Sequence, residues 1–393
     1  MRRRSFFACM AGAPAAPAAQ KASGPGGRPE PAPAAAGITS VVVSRMDDRH
    51  EGFPDLARLP DGTLLAVYRE SDAHSAKTFC RLVLRRSRDS GRTWGEREVL
   101  ISEGLNNGVI YKWNCPRIGL LRDGRLFLTC DRIAYPPGES GDFKHGRVFL
   151  WFSSNGGKSW TGPRETPVFG IVPGKLVELG SGTWLLSTHF QNLERNKREQ
   201  IVHRSTDGGR TWGPPVTICG DARYNTNEGS ILELPNKTLV CYMRENSNKG
   251  WPALKSFSSD EGRTWRGPFQ TLIGGCHRPV ADFLPDGRVL VTYRFNQGGA
   301  RFPLADGKNA GRAHNVFAYL EPPESAAAEE LSKQSGLVLP VAYDRSPKAD
   351  TGYTGWVSLP GGRIFMVTYL VDEAPVAYIR GYYFGIRDFY LPG

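Results

Sequence analysis

The sequence predicts an all-β protein folded as a six-bladed β-propeller, and two independent repeats support this prediction. One repeat is a β-hairpin that recurs six times at intervals of 50 to 75 residues. The other is a short turn motif that follows the first four hairpins. A strand-built repeat of this period is typical of a propeller, because each blade buries its faces only against its neighbours.

The hairpin repeat is centred on a Leu that precedes a tight turn and a strongly apolar strand. The turn is Pro-Asp-Gly after Leu59 and again after Leu284, and apolar runs such as 63–68 follow it. Gly, Asn and Asp between two apolar runs indicate antiparallel strands joined by a tight turn. The six marker leucines are spaced by 62, 58, 55, 50 and 75 residues: Leu59, Leu121, Leu179, Leu234, Leu284 and Leu359.

The second repeat is an Asp-box, a turn that contains Asp or Asn, then Gly, and that ends in Trp. The Asp or Asn accepts hydrogen bonds from its own turn, Gly takes a dihedral that other residues resist, and Trp packs under the blade. We predict a structural role for these turns, between the third and fourth strands and on the face away from the site. The four copies are 87–94, 153–160, 205–212 and 258–265, with Trp94, Trp160, Trp212 and Trp265 as their last residues.

The first 37 residues differ in composition from the rest of the chain. Met1-Arg-Arg-Arg-Ser-Phe-Phe-Ala8 has the pattern of a bacterial twin-arginine export signal, and Ala, Pro and Gly dominate up to Gly37. The sequence therefore predicts a signal and disordered linker over 1–37 and a propeller domain over 38–393, with export to the periplasm or the medium. A disordered basic tail is the alternative.

Composition argues against several other classes of protein. No apolar run approaches the ~18 residues of a membrane span, so membrane insertion is not expected. The net charge of +11 is not gathered into a basic block with aromatics beyond the first residues, so nucleic-acid binding is not expected. Six cysteines beyond Cys9 lack metal-ligand spacing. We therefore predict buried free thiols, with a disulfide as the alternative, and neither a metal ion nor another cofactor.

Strand register predicts which residues meet at one end of the propeller axis. The first strand of each blade starts at one face and the second strand returns to it, so the start of one and the end of the other share that face. Six positions before the marker Leu lie Phe53, Cys115, Pro173, Glu228, Arg278 and Tyr353. Ten positions after it lie Arg69, Asp131, His189, Arg244, Arg294 and Tyr369. A packed core does not require polar residues at these strand ends, so this face is the predicted site.

The four Asp-boxes, the six hairpins and the unit from Asn227-Glu228 to Met243-Arg244 resemble the sialidase (neuraminidase) superfamily, and in particular its bacterial Asp-box (BNR) repeat proteins, over about 41–392. In that family a Glu activates a Tyr nucleophile, and an Arg binds the substrate carboxylate. The resemblance implies that Glu228 is the base, Arg244 a carboxylate ligand, and Tyr353, in Gly352-Tyr-Thr354, the nucleophile. A Tyr needs such a base because its unperturbed pKa lies near ~10.

The resemblance extends to other parts of the site. Arg312 begins a segment that is similar to the one carrying another carboxylate-binding Arg, and Asp72 lies where the family places its acid/base Asp. His74 and Asp131 stay open as alternatives for the acid. We also predict substrate-binding roles on the same face for Arg278, Arg69, Asp131, His189 and His74.

The first blade departs from the family pattern. The family begins that blade with Arg-Ile-Pro, whose Arg completes a three-arginine clamp, whereas this chain has Gly52-Phe53-Pro54. Either Arg69, Arg278 or Arg49 supplies the missing cation, or the pocket accepts a sugar other than sialic acid.

The first hypothesis for function is thus an exported, exo-acting, retaining glycoside hydrolase that releases a terminal sialic acid or another acidic sugar from a glycan. A related propeller enzyme that acts on a different glycan is the second hypothesis. A non-catalytic carbohydrate-binding propeller is the third. The fold does not choose among them, because propellers host many functions.

Overall fold

The computed structural model describes residues 37–135, 145–296 and 314–390. In these ranges the regular secondary structure is almost all β-strand, with one short α-helix, α1 (Pro323–Ala327), and 3-10 turns at Leu331–Lys333, Pro360–Gly362 and Ile386–Phe389. In chain order the strands are β1 (Thr39–Ser44), β2 (His50–Arg58), β3 (Leu64–Ser71), β4 (Phe79–Ser87), β5 (Glu98–Asn106), β6 (Val109–Trp113), β7 (Arg117–Leu120), β8 (Leu126–Tyr135), β9 (Arg147–Ser153), β10 (Thr161–Phe169), β11 (Val177–Glu178), β12 (Trp184–Asn192), β13 (Lys197–Ser205), β14 (Val216–Thr217), β15 (Thr226–Glu233), β16 (Leu239–Glu245), β17 (Leu254–Ser258), β18 (Arg266–Gln270), β19 (Cys276–Phe283), β20 (Val289–Asn296), β21 (His314–Glu321), β22 (Leu337–Tyr343), β23 (Gly352–Ser358), β24 (Arg363–Leu370) and β25 (Tyr378–Gly385).

The predicted hairpins are confirmed at all six marker leucines. In each copy the Leu N–H donates to the carbonyl oxygen four residues later, over 2.7 to 2.8 Å, as from Leu59 to Thr63. The residue three positions after the Leu is left-handed in every copy; it is Gly in five of them and Lys237, with φ of 69°, in the remaining one. The turn residues therefore fix the register of the two strands that follow one another in each unit.

The strands form a propeller arrangement in which four sheets stand apart as four-stranded blades. Three of them are the meanders β11–β14, β15–β18 and β19–β22. The fourth has the order β1-β25-β24-β23, so the first strand of the described chain pairs antiparallel with the last. This pairing covers the edge of β25 and closes the blade with a strand from the other end of the chain.

The prediction of six separate blades is wrong, because strands β2 to β10 form one nine-stranded sheet. Within it β2–β5 pair in succession, and so do β7–β10. The two runs are joined because Asn107 and Gly108, with φ of 49° and 79°, make a tight turn that folds β6 back onto β5. Strand β6 also pairs with the far half of β8, so the hydrogen-bond ladder continues from one run into the next.

The second strand of each hairpin is buried along most of its length. Every residue of β3 and of β16 is buried, including the charged residues near their ends. A strand covered on both faces reads as a continuous apolar run, which explains the runs that follow the marker leucines. Each fully buried Leu or Val there contributes roughly 1.5–3 kcal/mol relative to exposure.

The Asp-boxes lie at the predicted end of the strands. Ser87 at the first Asp-box pairs with Leu64 at the start of β3, whereas Arg69 lies near the other end of that strand. The turn is held as expected, since Asp89 accepts from the Thr93 N–H over 2.9 Å and the Ser87 hydroxyl accepts from the Gly91 N–H over 2.8 Å. The four Asp-box tryptophans are half-buried against the apolar clusters of their blades.

Two further features bear on the sequence predictions. The six cysteines in the described ranges are all buried and free of disulfides. None of the helices in the described part of the chain has the length and hydropathy needed to cross a membrane.

Candidate active site

A repeated β-bulge shapes the end of the axis where the site was predicted. In β2, β15, β19 and β23 the first strand advances three residues while its partner advances two, as between Asn227↔Arg244 and Ser230↔Tyr242. One residue in each of these four bulges has a left-handed backbone, with φ between 46° and 56°: Phe53, Glu228, Arg278 and Tyr353. Val172, between β10 and β11, has the same conformation, with φ of 52°.

These left-handed residues raise the conformational free energy of the folded chain, and they lie at the same end of the axis. A bulky residue with positive φ is an outlier that costs on the order of 1–3 kcal/mol and persists where the surroundings enforce it. The bulge re-aims the side chain that it carries. The sequence placed four of the five positions correctly. In the third blade it is Val172 and not Pro173 that takes this conformation, and Cys115 lies in the break between β6 and β7 without it.

Tyr353, Glu228 and Arg244 form a buried hydrogen-bonded group at this end of the axis. The Tyr353 hydroxyl donates to Glu228 Oε1. Arg244 Nη1 donates to both oxygens of the same carboxylate, over 3.0 and 3.1 Å. The side chains come from β23, β15 and β16, and the first two strands belong to different sheets. The structure therefore brings the side chains of Glu228, Tyr353 and Arg244 into contact, as their strand positions predicted.

The charges of this group are set by burial and by the neighbouring arginines. Burial alone raises the pKa of Glu228, but Arg244 and Arg294 outweigh it and hold the pKa of this carboxyl well below its usual range. Burial and the adjacent Glu228 carboxylate raise the pKa of Tyr353. The group thus holds a neutral phenol hydrogen-bonded to an ionised carboxylate, which is the arrangement of a nucleophile and its base.

The group opens into a cavity of about 430 Å³ that is rich in positive charge. Arg294, from β20, places its guanidinium carbon 5.1 Å from the Tyr353 ring centroid. Among the described residues that line the cavity, Glu228 is the single carboxylate, whereas five side chains are basic: Arg69, Lys112, Arg198, Arg244 and Arg294. A larger cavity of about 600 Å³ is lined by residues near the turn ends of the first strands and does not contain the Tyr–Glu pair.

Arg69 lies beside the position where the first blade departs from the family pattern. Its guanidinium carbon is 4.2 Å from the Phe53 ring centroid, within the range of a cation–π contact. The other two candidates for the missing cation do not line this cavity. Arg49 pairs with Glu70 over 3.2 Å. Arg278 has its guanidinium carbon 5.8 Å from the Tyr353 ring centroid, but it lines the larger cavity and donates to the Pro173 carbonyl over 2.7 Å. Of the three, Arg69 alone lines the cavity of Tyr353.

Asp131 and His189 occupy different environments. Asp131 is buried and accepts hydrogen bonds from Asn114 Nδ2 and from the backbone N–H groups of Cys115 and Val172, over 2.9 to 3.0 Å. Its carboxylate therefore ties loops together and does not line the cavity. His189 does line it, and burial lowers the pKa of His189 to about 3.

Asp72 does not reach the cavity. Its oxygens accept from the Lys77 and Thr78 N–H groups, over 2.8 and 2.9 Å, and from the Thr78 hydroxyl over 2.8 Å. It folds its own loop, as Asp commonly does in turns. The structure thus does not bring Asp72 together with Tyr353 and Glu228.

His74, two residues further on, lines the cavity and belongs to a group that the sequence did not reveal. Its Nδ1 lies 2.9 Å from Asp350 Oδ2, and His50 Nε2 lies 2.8 Å from the same oxygen. Burial raises the pKa of Asp350, but the two imidazoles outweigh it and hold that pKa well below its usual range. Some 300 residues separate His50 from Asp350, and no local motif marks either of them.

The possible ligand atoms of His50, Asp350 and His74 all lie within 4.8 Å of one another, as the ligands of a metal ion would. Ligands of a tetrahedral zinc ion at ~2.1 Å stand about 3.4 Å apart. The observed nitrogen-to-oxygen distances of 2.8 and 2.9 Å are those of hydrogen bonds. We therefore interpret the group as a hydrogen-bonded chain.

Arg312, predicted as a carboxylate ligand, lies outside the described residues.

Comparison with known proteins places the chain in a family. The family model described as a BNR repeat-like domain matches residues 62–307, which is more than half of the chain. The chain belongs to the BNR repeat-like family of the sialidase superfamily. Two curated members of this superfamily are a sialidase of Bacteroides fragilis, 24% identical over 245 residues, and a sialidase of Micromonospora viridifaciens, 26% identical over 270 residues. The matched regions cover 56% and 62% of this chain but 44% and 33% of those relatives, so this BNR repeat-like protein spans less than half of their length.

Solved structures support the same fold for this BNR repeat-like protein. A Dyadobacter fermentans protein of unknown function has a TM-score of 0.72 at 22% identity, over 89% of this chain and 100% of its own. The Hadza microbial sialidase Hz136 has a TM-score of 0.60 at 17% identity, over 87% of this chain and 66% of its own. At these identities the likeness establishes the fold alone.

The buried His189 predicts how stability depends on pH. Its folded pKa of about 3 is below the ~6.5 of an exposed histidine, so the unfolded chain takes up the proton first as the pH falls. Stability present above pH ~6.5 is therefore lost towards pH ~3, by up to about 1.4 kcal/mol per pH unit.

In His189→Gln, the fall in unfolding free energy between pH 6.5 and 4.5, measured by urea denaturation, should be shallower by about 1 kcal/mol per unit. His145→Gln, at an exposed histidine, is the control and should keep the wild-type slope; an unchanged slope in His189→Gln would contradict this prediction.

Proposed function

We propose that this protein is a retaining exo-glycosidase that releases a terminal acidic sugar from a glycan. One observation carries the proposal: a tyrosine hydrogen-bonded to a buried, ionised glutamate faces a cavity whose other charged lining residues are four arginines and a lysine. A surface without function has no reason to collect so much positive charge around one carboxylate, because like charges in a partly buried site repel one another.

The proposed first step is attack by the Tyr353 oxygen on the anomeric carbon. The new carbon–oxygen bond forms as the glycosidic bond breaks, Glu228 accepts the phenolic proton, and the leaving oxygen takes a proton from a separate acid/base residue. A neutral nucleophile suits an anomeric carbon that bears a carboxylate, because an anionic nucleophile would be repelled. Water then attacks the same carbon and returns a proton to the acid/base residue, Tyr353 leaves and recovers its proton from Glu228, and the double displacement retains the configuration.

The basic residues are proposed to hold the carboxylate of the sugar. Planar guanidinium groups bind carboxylates through two parallel hydrogen bonds, and Arg244 and Arg294 flank the Tyr–Glu pair. Sialic acid is the first candidate, because two curated relatives are named sialidases. Gly52, which stands where the family pattern has Arg, leaves a different acidic sugar as the second.

A non-catalytic carbohydrate-binding propeller is the competing proposal. It explains the basic cavity but gives no role to the buried contact between Tyr353 and Glu228. Export stays a prediction from residues 1–37, of which 1–36 lie outside the described ranges. Fractionation of cells that express the full chain and an Arg2→Lys, Arg3→Lys variant would test it.

The Tyr–Glu pair predicts how substitutions combine. Tyr353→Phe removes the nucleophilic oxygen with little change in ring packing, and Glu228→Gln removes the base. Each should reduce kcat for a glycoside found in a panel of acidic and neutral aryl glycosides by at least ~10³-fold, and the double variant should be scarcely worse, because the two groups act as one unit.

The matched measurement is binding of the released sugar, which should survive in Tyr353→Phe because the arginines are untouched. Full turnover by Tyr353→Phe, or losses that multiply in the double variant, would exclude the mechanism. Glycan binding by the unmodified protein without turnover of any glycoside in the panel would favour the binding module.

Recognition of the carboxylate is tested by changing the substrate together with the protein. Arg294→Met should weaken kcat/KM for the free-acid glycoside by about 2–5 kcal/mol, the scale expected when one partner of a buried charge pair is removed. The methyl ester of the same glycoside should be turned over poorly by the unmodified enzyme, and Arg294→Met should affect that turnover little. Equal losses on the acid and the ester would show that Arg294 does not contact the carboxylate. Arg244 is less suitable, since its Nη1 also holds the Glu228 base.

A further inference from the structure

The proposed reaction needs a proton donor for the leaving group, and the structure removes the residue expected to supply it. Both oxygens of Asp72 accept hydrogen bonds from their own loop, and the side chain does not line the cavity. Asp131 is buried, accepts three hydrogen bonds and does not line the cavity. Glu228, the one carboxylate among the described lining residues, already has the role of base to Tyr353.

We propose that His74, held by Asp350 and His50, is the acid/base residue of this site. This inference rests on the proposed glycosidase function. His74 lines the cavity, and about half of its side chain is exposed. Its ring centroid lies 5.3 Å from that of Phe53, which in turn lies 5.2 Å from that of Tyr353. The imidazole and the nucleophile therefore line the same cavity of about 430 Å³, with the Phe53 ring between them.

The hydrogen bonds of Asp350 set the orientation of this imidazole. An ionised carboxylate only accepts, so the His74 Nδ1 and the His50 Nε2 that approach it each carry a proton. Nε2 is then the nitrogen of His74 that is left to exchange a proton with a substrate. His50 is buried and Asp350 is mostly buried, so the two residues act as positioning groups and do not themselves touch the sugar.

The proton balance closes with these residues. In the first step the imidazolium Nε2–H of His74 gives its proton to the glycosidic oxygen as the carbon–oxygen bond breaks, while Glu228 takes the proton of Tyr353. In the second step the Nε2 of His74 takes a proton from water as its oxygen attacks the anomeric carbon, and Glu228 returns its proton to Tyr353. Glycoside and one water are converted into free sugar and alcohol, and the enzyme regains its starting state.

The test compares leaving groups of different acidity on one sugar. A leaving group that needs no protonation does not need the acid. We therefore expect His74→Ala to lower kcat/KM by about 10²–10⁴-fold for an alkyl or saccharide leaving group, and by less than tenfold for a 2,4-dinitrophenyl leaving group.

Two variants separate His74 from its neighbours. Asp350→Asn should show the same dependence on the leaving group with a smaller amplitude, which a merely structural role would not produce. Asp72→Asn is the matched comparison in the same loop. The proposal would be overturned if Asp72→Asn showed the leaving-group dependence, or if His74→Ala lost activity equally on all leaving groups. Loss of activity on treatment with EDTA, restored by Zn²⁺, would also overturn it.

The outcome is distinguishable from failure of the proposed function. If Tyr353→Phe is inactive on every leaving group while His74→Ala shows no selectivity among them, the glycosidase proposal stands and the role of His74 falls. If Tyr353→Phe keeps its activity, the glycosidase proposal falls first, and the role of His74 with it.

Discussion

The site depends on one constraint, which is that the buried Glu228 carboxylate must be compensated. An ionised group removed from water costs several kcal/mol unless cations and hydrogen bonds replace its hydration. Arg244 supplies two hydrogen bonds, Tyr353 supplies a third, and Arg294 adds charge nearby. None of these groups precedes Glu228 in the chain, and they come from three sheets, so the carboxylate is stable only when the propeller is assembled. Stability and proposed reactivity therefore use the same contacts.

The fold separates the residues that maintain the blades from those that form the site. Marker turns and Asp-boxes close the strands at one end. Each marker turn repeats the same backbone hydrogen bond, and each Asp-box repeats the bond from a Gly N–H to a Ser hydroxyl. At the other end the bulges of β2, β15, β19 and β23 present one side chain each, and there the residue type varies between Phe, Glu, Arg and Tyr. A scaffold that is secured elsewhere tolerates this strain and this variation, which is the usual relation between a rigid framework and its functional ends.

The first blade shows how a substituted position changes its neighbourhood. Gly52 stands where the family pattern places a cation, and the ring of the next residue, Phe53, lies against Arg69, His74 and Tyr353. This part of the cavity is therefore lined by an aromatic ring beside a guanidinium group and an imidazole.

The sequence by itself determined the features that rest on local rules. The turn residues after each marker Leu fixed the hairpins, and alternation along the strands then placed Glu228, Arg244 and Tyr353 at one end of the axis. Tertiary structure alone decided the features that depend on distant partners. The Asn107-Gly108 turn joins two expected blades into one sheet, because β6 pairs both with β5 and with the end of β8. Asp72 does not reach the site, because it accepts hydrogen bonds from N–H groups of its own loop. His50, His74 and Asp350 came together from positions up to 300 residues apart, and no spacing in a chain encodes a hydrogen bond that exists only after the last blade closes on the first.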